Sequence, residues 1–90
     1  MPCEQIKKIL EDGGALIDVR TPQEFSSGAL PGAQNIPLNG IPTVLSSLPK
    51  DQPVLLYCRS GARSGMAQRF LVQEGYDAHN IGGYTTYAHC

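Results

Sequence analysis

Apolar residues along the chain fall into short runs that glycine, proline and polar residues separate. Two runs, Ala15–Val19 and Val54–Cys58, are almost continuously apolar, which is typical of strands buried on both faces. Shorter runs at Ala33–Ile36 and Tyr76–Ile81 predict two further strands. Because helical segments separate these strands, we predict an α/β fold with a mainly parallel sheet and helices on both of its faces.

The helical segments show apolar residues at helix spacing or clear start and stop signals. Thr21-Pro22-Gln23-Glu24 combines an N-cap residue, a proline at the first helical position and a capping-box glutamate, so a short helix begins there. A helix is expected from about Ala62 to Glu74, with Met66, Ala67, Phe70 and Leu71 on one face. Three more are predicted at Cys3–Asp12, at Ile41–Leu48 with Pro42 at its start, and at Tyr84–His89.

The length, net charge and apolar content of the chain limit the class of protein. The chain has 90 residues, so we expect residues 1–90 to form a single domain. The net charge of −1 indicates neither nucleic acid nor an acidic membrane surface as a partner. The sequence has no apolar run long enough for a membrane helix and no signal peptide, which leads us to expect a cytoplasmic protein. We also expect a monomer. A mature exported chain with a new Met1 would have the same sequence, so a periplasmic location is the alternative.

The three cysteines, Cys3, Cys58 and Cys90, are an odd number and do not form a disulfide framework. We therefore expect a mostly reduced protein. The alternative is a bridge between Cys3 and Cys90.

Cys58 is the strongest candidate for chemistry. It is expected at the carboxyl end of a strand and just before a helix N-terminus, where backbone N–H groups and the helix dipole favour an anion. A cysteine in this position can ionise at neutral pH. A lone cysteine after an apolar strand is more often a small buried hydrophobic residue, but the polar loop that follows favours the nucleophile.

The residues after Cys58 form the candidate substrate-binding group: Arg59, Ser60, Gly61, Ala62 and Arg63. Gly61 allows the backbone to curl so that N–H groups point inward, and the two arginines can offer planar forks to an oxyanion. Ser64 can donate to the sulfur or cap the helix. The window between Asp51 and Glu74 has three arginines and no acidic residue, which predicts a local positive field around Cys58.

Other polar residues have simpler interpretations. Asp18 and Arg20 are expected to brace the loops as an ion pair, with a catalytic acid as the alternative for Asp18. Glu24 is expected to be a cap partner rather than a base. His79 is expected to be exposed and inert. His89 beside Cys90 could bind a metal adventitiously, but no second pair of ligands has the spacing of a zinc site, so we predict no metal site.

Five motifs resemble, in order and spacing, those of the rhodanese family: Asp18–Phe25, Gly28–Ala33, Asn35–Pro37, Tyr57–Ser64 and Gly82-Gly83. The resemblance covers Ala15–Tyr87 and is greatest to the small single-domain thiosulfate sulfurtransferases of bacteria. It implies a three-layer rhodanese-like fold. The chain departs from the family at Ala29-Leu30, where His-Ile is common, and at Tyr87, where tryptophan is common; these changes affect packing near the site rather than its chemistry.

The resemblance also implies a reaction. A thiolate on Cys58 would take the outer sulfur of thiosulfate to give a persulfide, and cyanide, a small thiol or a thioredoxin-like protein would accept that sulfur. No metal or organic cofactor is implied. A sulfur carrier that receives persulfide from a protein partner is an alternative. A cysteine phosphatase or arsenate reductase is less favoured, because only four residues separate Cys58 from Arg63 and phosphatases have five.

Overall fold

Four parallel strands form one sheet in this computed structural model, which describes residues 1–90. The strands are β1 (Ala15–Asp18), β2 (Gln34–Asn35), β3 (Val54–Cys58) and β4 (Ala78–Gly83), and their order across the sheet is β2-β1-β3-β4. β1 and β3 lie in the centre, and both are almost continuously apolar in the sequence because both of their faces are covered. The predicted α/β fold with a parallel sheet is confirmed.

Helices cover both faces of the sheet and make the predicted three layers. They are α1 (Cys3–Glu11), α2 (Pro22–Ser26), a 3₁₀ helix (Leu38–Ser47), α3 (Ala62–Gln73) and α4 (Tyr84–Tyr87). One core cluster joins the sheet to α3 and the 3₁₀ helix, and the other joins it to α1 and α4. None of these helices has both the length and the apolar character that crossing a membrane requires.

β3 divides its side chains between the two core clusters. Val54, Leu56 and Cys58 point towards α3, whereas Leu55 and Tyr57 point towards α1 and α4. All five are fully buried. Since successive side chains of a strand alternate between faces, Cys58 lies on the same side of the sheet as the helix that follows it.

Two details of the predicted helices are wrong. The segment predicted as a helix from Ile41 is a 3₁₀ helix that begins at Leu38 and contains Pro42. Proline lacks the N–H that a longer α-helical ladder needs, and a 3₁₀ helix tolerates this loss in a short segment. Met66, predicted on the apolar face of α3, is 53% exposed, because Ala67 and Leu71 line the buried stripe.

The end of β4, at Gly82-Gly83, approaches the loop after Cys58 closely. The strand runs from Ala78 to Gly83, whereas the sequence predicts Tyr76–Ile81, and its pairing with β3 shifts register between Leu56 and Tyr57. A Cβ built on Gly83 would lie 2.6 Å from the carbonyl oxygen of Arg59. A side chain at this position would therefore push the two backbones apart.

A disulfide joins Cys3 and Cys90, whose Cα atoms are 5.8 Å apart. The expectation of a mostly reduced protein is therefore wrong, and the less favoured bridge is present. The topology explains why: α1 and α4 cover the same face of the sheet, where Ile6 and Tyr87 share a core cluster. Packing thus brings together two residues that are 87 positions apart, which composition and spacing do not reveal.

Candidate active site

Cys58 is the last residue of β3 and lies at the edge of the sheet where β1 ends at Asp18 and β4 ends at Gly83. The carboxyl ends of parallel strands share this edge, which is where open α/β sheets bind ligands. Arg59, Ser60 and Gly61 connect Cys58 directly to the N-terminus of α3. We call Cys58–Ser64 the Cys58 loop. Cys58 is the only free cysteine.

The Cys58 loop surrounds the sulfur with hydrogen-bond donors. The Gly61 N–H donates to Cys58 Sγ at 3.0 Å, the Ser64 N–H at 3.5 Å and the Ser64 hydroxyl at 3.4 Å. Gly61 has a φ of 99°, a left-handed conformation that glycine adopts readily and that turns these donors inward. The sequence-based expectation of inward-pointing N–H groups therefore describes this loop.

These donors favour the thiolate over the thiol. Burial alone raises the pKa of the Cys58 thiol, but hydrogen bonds from the Ser64 hydroxyl and from the N–H groups of Ser64, Ser60 and Gly61 outweigh it, and the pKa falls to about 7. At neutral pH about half of the molecules would then carry the nucleophilic form. An ordinary cysteine buried in apolar surroundings stays protonated and is a far weaker nucleophile.

Asn80 holds the Cys58 loop against β4, and the sequence analysis missed this residue. Its side-chain oxygen accepts hydrogen bonds from the Ser64 hydroxyl at 2.7 Å and from the Gly82 N–H at 3.0 Å, and its amide nitrogen donates to the Gly61 carbonyl at 3.0 Å. Its position near the end of a predicted strand was the signal that could have found it. Ser64 has one hydroxyl proton, which Cys58 Sγ and Asn80 therefore share.

The guanidinium group of Arg63 is already paired in this structure and is not free to bind an anion. Its two terminal nitrogens donate to both carboxylate oxygens of Glu24, at 2.8 Å and 3.1 Å. The hydrogen bond from Arg63, together with the Thr21 N–H, lowers the pKa of Glu24 to about 2. The sequence near Cys58 has no acidic residue, but the fold brings Glu24 of α2 next to Arg63. The positive field predicted from the sequence is therefore partly neutralised.

Glu24 is both the predicted cap partner and the partner of Arg63. Its backbone N–H donates to the Thr21 hydroxyl, and its carboxylate accepts from the Thr21 N–H, which completes the capping box. Because the same carboxylate also holds Arg63, α2 fixes the direction of this arginine. Such a glutamate is not available as a base.

The rest of the substrate-binding group is more open. Arg59, Ser60 and Ala62 are exposed, and Arg59 forms no ion pair. A cleft of about 230 Å³ opens beside Arg63, between the end of β1 and the start of the 3₁₀ helix. Arg59 is therefore the arginine of the loop that is free to meet an incoming anion.

Asp18 and Arg20 form the predicted ion pair, and both are buried. Arg20 donates to Asp18 through Nε and through its terminal nitrogen, the latter at 2.6 Å, and also to the Gly28 carbonyl at 2.6 Å. Its guanidinium carbon lies 4.4 Å from the centre of the Tyr84 ring. These contacts connect three parts of the chain: β1, α4 and the segment that follows α2. They also leave Asp18 no free oxygen for acid catalysis.

The remaining candidates lie away from the sulfur. His79 is exposed and pairs with Asp77 at 2.7 Å. The hydroxyl of Tyr57 accepts from the Leu30 N–H, and Tyr57 and Tyr87 pack in the core below α1. The ligand atoms of Cys3, His89 and Cys90 lie within 4.8 Å of one another, on the other face of the sheet from the Cys58 side chain.

Comparison with known proteins identifies the family. Residues 3–90 match the family model described as "Rhodanese-like domain". The chain is 49% identical over 61 residues to a "Sulfurtransferase" of Allochromatium vinosum, 57% of whose length is covered. It is 31% identical over 84 residues to "Thiosulfate sulfurtransferase GlpE" of Pseudomonas syringae, with 92% of this chain and 79% of that protein covered. The chain spans somewhat more than half of the length of the first two curated relatives.

Solved structures share the fold. Part of a Bacillus anthracis protein described as "reduced Bacillus anthracis CoADR-RHD" aligns with a TM-score of 0.82 and 39% identity, over 93% of this chain and 15% of that one. A structure described as "rhodanese with anions from E. coli" aligns with a TM-score of 0.73 and 33% identity, over 81% of this chain and 89% of the other. Fold, motifs and relatives thus point to one family.

Proposed function

This chain belongs to the family of rhodanese-like domains, and we propose that it moves sulfane sulfur from thiosulfate to a thiophilic acceptor through a persulfide on Cys58. The observation that carries the proposal is the set of donors around Cys58 Sγ, which lowers the pKa of the thiol to about 7. Sulfur transfer from a dianion needs this combination of a thiolate and a lining that stabilises negative charge.

The first half-reaction forms the persulfide. The Cys58 thiolate attacks the outer sulfur of thiosulfate, a new S–S bond forms, and the S–S bond of thiosulfate breaks so that sulfite leaves with its electron pair. The negative charge then lies on the terminal sulfur of the persulfide. The N–H groups of Gly61 and Ser64 already point at Sγ, and the N-terminus of α3 favours an anion at this place.

The second half-reaction releases the sulfur. An acceptor such as cyanide attacks the terminal sulfur, the S–S bond of the persulfide breaks, and the thiolate of Cys58 is regenerated with thiocyanate as product. A small thiol or a dithiol of the thioredoxin-like class would take the sulfur in the same way. The donor groups that stabilise the starting thiolate also stabilise it as the leaving group.

Arg59 is the proposed anchor for the sulfonate of thiosulfate. It directly follows Cys58, is exposed and has no acidic partner, whereas both terminal nitrogens of Arg63 donate to Glu24. We therefore assign to Arg63 the support of the loop and to Arg59 the attraction of the dianion.

The pairing of Arg63 also bears on the alternatives. Because Glu24 occupies its fork, this arginine does not close around a phosphate, which argues against a phosphatase or arsenate reductase. The same pairing leaves fewer positive groups for a free dianion and so favours a second candidate, a sulfur carrier that takes its persulfide from a partner protein.

Steady-state kinetics separates these functions. With thiosulfate and cyanide, we expect thiocyanate to form at a rate that Cys58→Ser abolishes. Arg59→Ala should raise the KM for thiosulfate, and the matched control Arg69→Ala, an exposed arginine on α3, should leave it unchanged. Negligible turnover of thiosulfate together with fast uptake of sulfur from a persulfidated protein would favour the carrier. Release of phosphate from an aryl phosphate that depends on Cys58 would contradict both.

A further inference from the structure

We propose that Cys3, His89 and Cys90 form a zinc-binding site when the disulfide between the two cysteines is reduced. The sulfur atoms of both cysteines and a ring nitrogen of His89 lie within 4.8 Å of one another. Cys3 Sγ and His89 Nε2 are 3.7 Å apart. The inference does not depend on the proposed function, because Cys58 takes no part in it.

The separations fit the ligands of one tetrahedral ion. With Zn–S bonds of about 2.3 Å and Zn–N bonds of about 2.0–2.1 Å, a sulfur and a nitrogen on the same zinc are about 3.6 Å apart, and two sulfurs are about 3.8 Å apart. The distance between Cys3 Sγ and His89 Nε2 already matches. After reduction, rotation of the cysteine side chains separates the two sulfurs, while the Cα atoms can stay 5.8 Å apart.

The surroundings favour an open, three-ligand site. Cys3 opens α1, and the Cys90 N–H donates to the Tyr87 carbonyl at 2.8 Å, so the backbone holds both cysteines. His89 is exposed, which leaves the fourth position of the ion to water. Lys7 lines the small cavity beside the cysteines, but two thiolates and one Zn²⁺ are together neutral, so its charge does not exclude the ion.

The two states of the site exclude each other. A dithiol reductant supplies the two electrons and two protons that convert the disulfide into two thiols. Zinc then binds to both sulfurs, as thiolates, and to the neutral imidazole of His89. The two thiol protons are released. The bond that closes the disulfide uses the same sulfur atoms that bind the metal, so zinc binding should require reduction.

The test uses the Cys58→Ser protein, in which Cys3 and Cys90 are the only cysteines. The disulfide is reduced with a phosphine, oxygen is excluded, and Zn²⁺ is titrated against a chromophoric chelator. We expect one equivalent of zinc in the reduced protein and none in the disulfide form. Co²⁺ in place of Zn²⁺ should give thiolate-to-cobalt charge-transfer absorption. No zinc uptake by the reduced protein would overturn the proposal.

Variants identify the ligands. Cys3→Ser should abolish the charge-transfer band of one thiolate and most of the affinity, and His89→Ala should weaken zinc binding by at least about tenfold. His79→Ala is the matched control, since His79 is also exposed but pairs with Asp77. Equal affinities for His89→Ala and His79→Ala would contradict the site. Far-UV circular dichroism checks that the reduced proteins are folded. If Cys3→Ser does not fold, the comparison of His89→Ala with His79→Ala decides the outcome, because both histidines are exposed.

Discussion

The hydroxyl of Ser64 is the part of the Cys58 loop whose contribution is easiest to isolate. Ser64→Ala removes the donor that lies 3.4 Å from Cys58 Sγ and leaves the backbone N–H groups of Gly61 and Ser64 in place. The side chain is buried, and the change removes a single oxygen atom. We therefore expect the loop to keep its shape and the thiolate of Cys58 to lose part of its stabilisation.

The size of the effect follows from the geometry. A hydrogen bond to a charged group contributes about 1.5–3 kcal/mol. The distance of 3.4 Å is long, and Asn80 competes for the same proton at 2.7 Å, so the lower end applies. About 1.4 kcal/mol is a factor of ten in the balance of thiolate and thiol. At pH 7 the thiolate fraction would fall from about half to about a tenth.

The assay is the pH dependence of alkylation by iodoacetamide, which reacts with the thiolate. In the non-reduced protein Cys58 is the only free thiol. At pH 7 we expect Ser64→Ala to react about five times more slowly than the parent, and at high pH, where both are fully ionised, equally fast. Ser60→Ala is the matched control, because the exposed Ser60 hydroxyl makes no hydrogen bond to the sulfur.

Two results would refute this reasoning. One is a pH profile of Ser64→Ala that coincides with that of the parent. The other is an equal displacement in Ser60→Ala, which would mean that the loop as a whole, and not the buried hydroxyl, sets the pKa of Cys58.

Three further predictions concern the scaffold. Glu24→Gln should lower the free energy of unfolding by up to about 1 kcal/mol near pH 6. Because the pKa of Glu24 is lowered from 4.5 to about 2, this difference should be complete above pH 4.5 and vanish as the pH falls through 2 in acid–urea titrations. Reducing the disulfide should lower the free energy of unfolding by up to about 4 kcal/mol in urea, and reductant should not affect Cys3→Ser. Gly83→Ala should lower the free energy of unfolding by about 1–3 kcal/mol and slow the proposed sulfur transfer, whereas Gly40→Ala, whose Cβ meets its first neighbour at 3.8 Å, should do neither.

The features that the sequence predicted correctly are those encoded by neighbouring residues. The apolar run Val54–Cys58 specified a central strand, because a strand covered on both faces needs no polar positions. Thr21, Pro22 and Glu24 specified the start of α2, because a capping box is complete within four residues. The place of Cys58 followed from the end of this strand, from the helical pattern that begins at about Ala62 and from the topology of parallel sheets.

The features that the sequence did not predict depend on contacts between distant segments. Glu24 and Arg63 are separated by 39 positions, and their ion pair exists because α2 packs beside the Cys58 loop. An acid-free window in the sequence therefore does not imply an acid-free site. The Cys3–Cys90 disulfide likewise depends on α1 and α4 covering one face of the sheet. Asn80 joins β4 to the loop through two hydrogen bonds, one with Ser64 and one with Gly61, and these pairings depend on how the two segments pack together.

The central claim is that Cys58 carries sulfur as a persulfide, and intact mass spectrometry after incubation with thiosulfate tests it most directly. We predict a gain of the mass of one sulfur atom that peptide mapping assigns to Cys58, that cyanide removes, and that Cys58→Ser does not show. An unchanged mass in the parent protein, or sulfur found on Cys3 or Cys90 instead, would contradict the account.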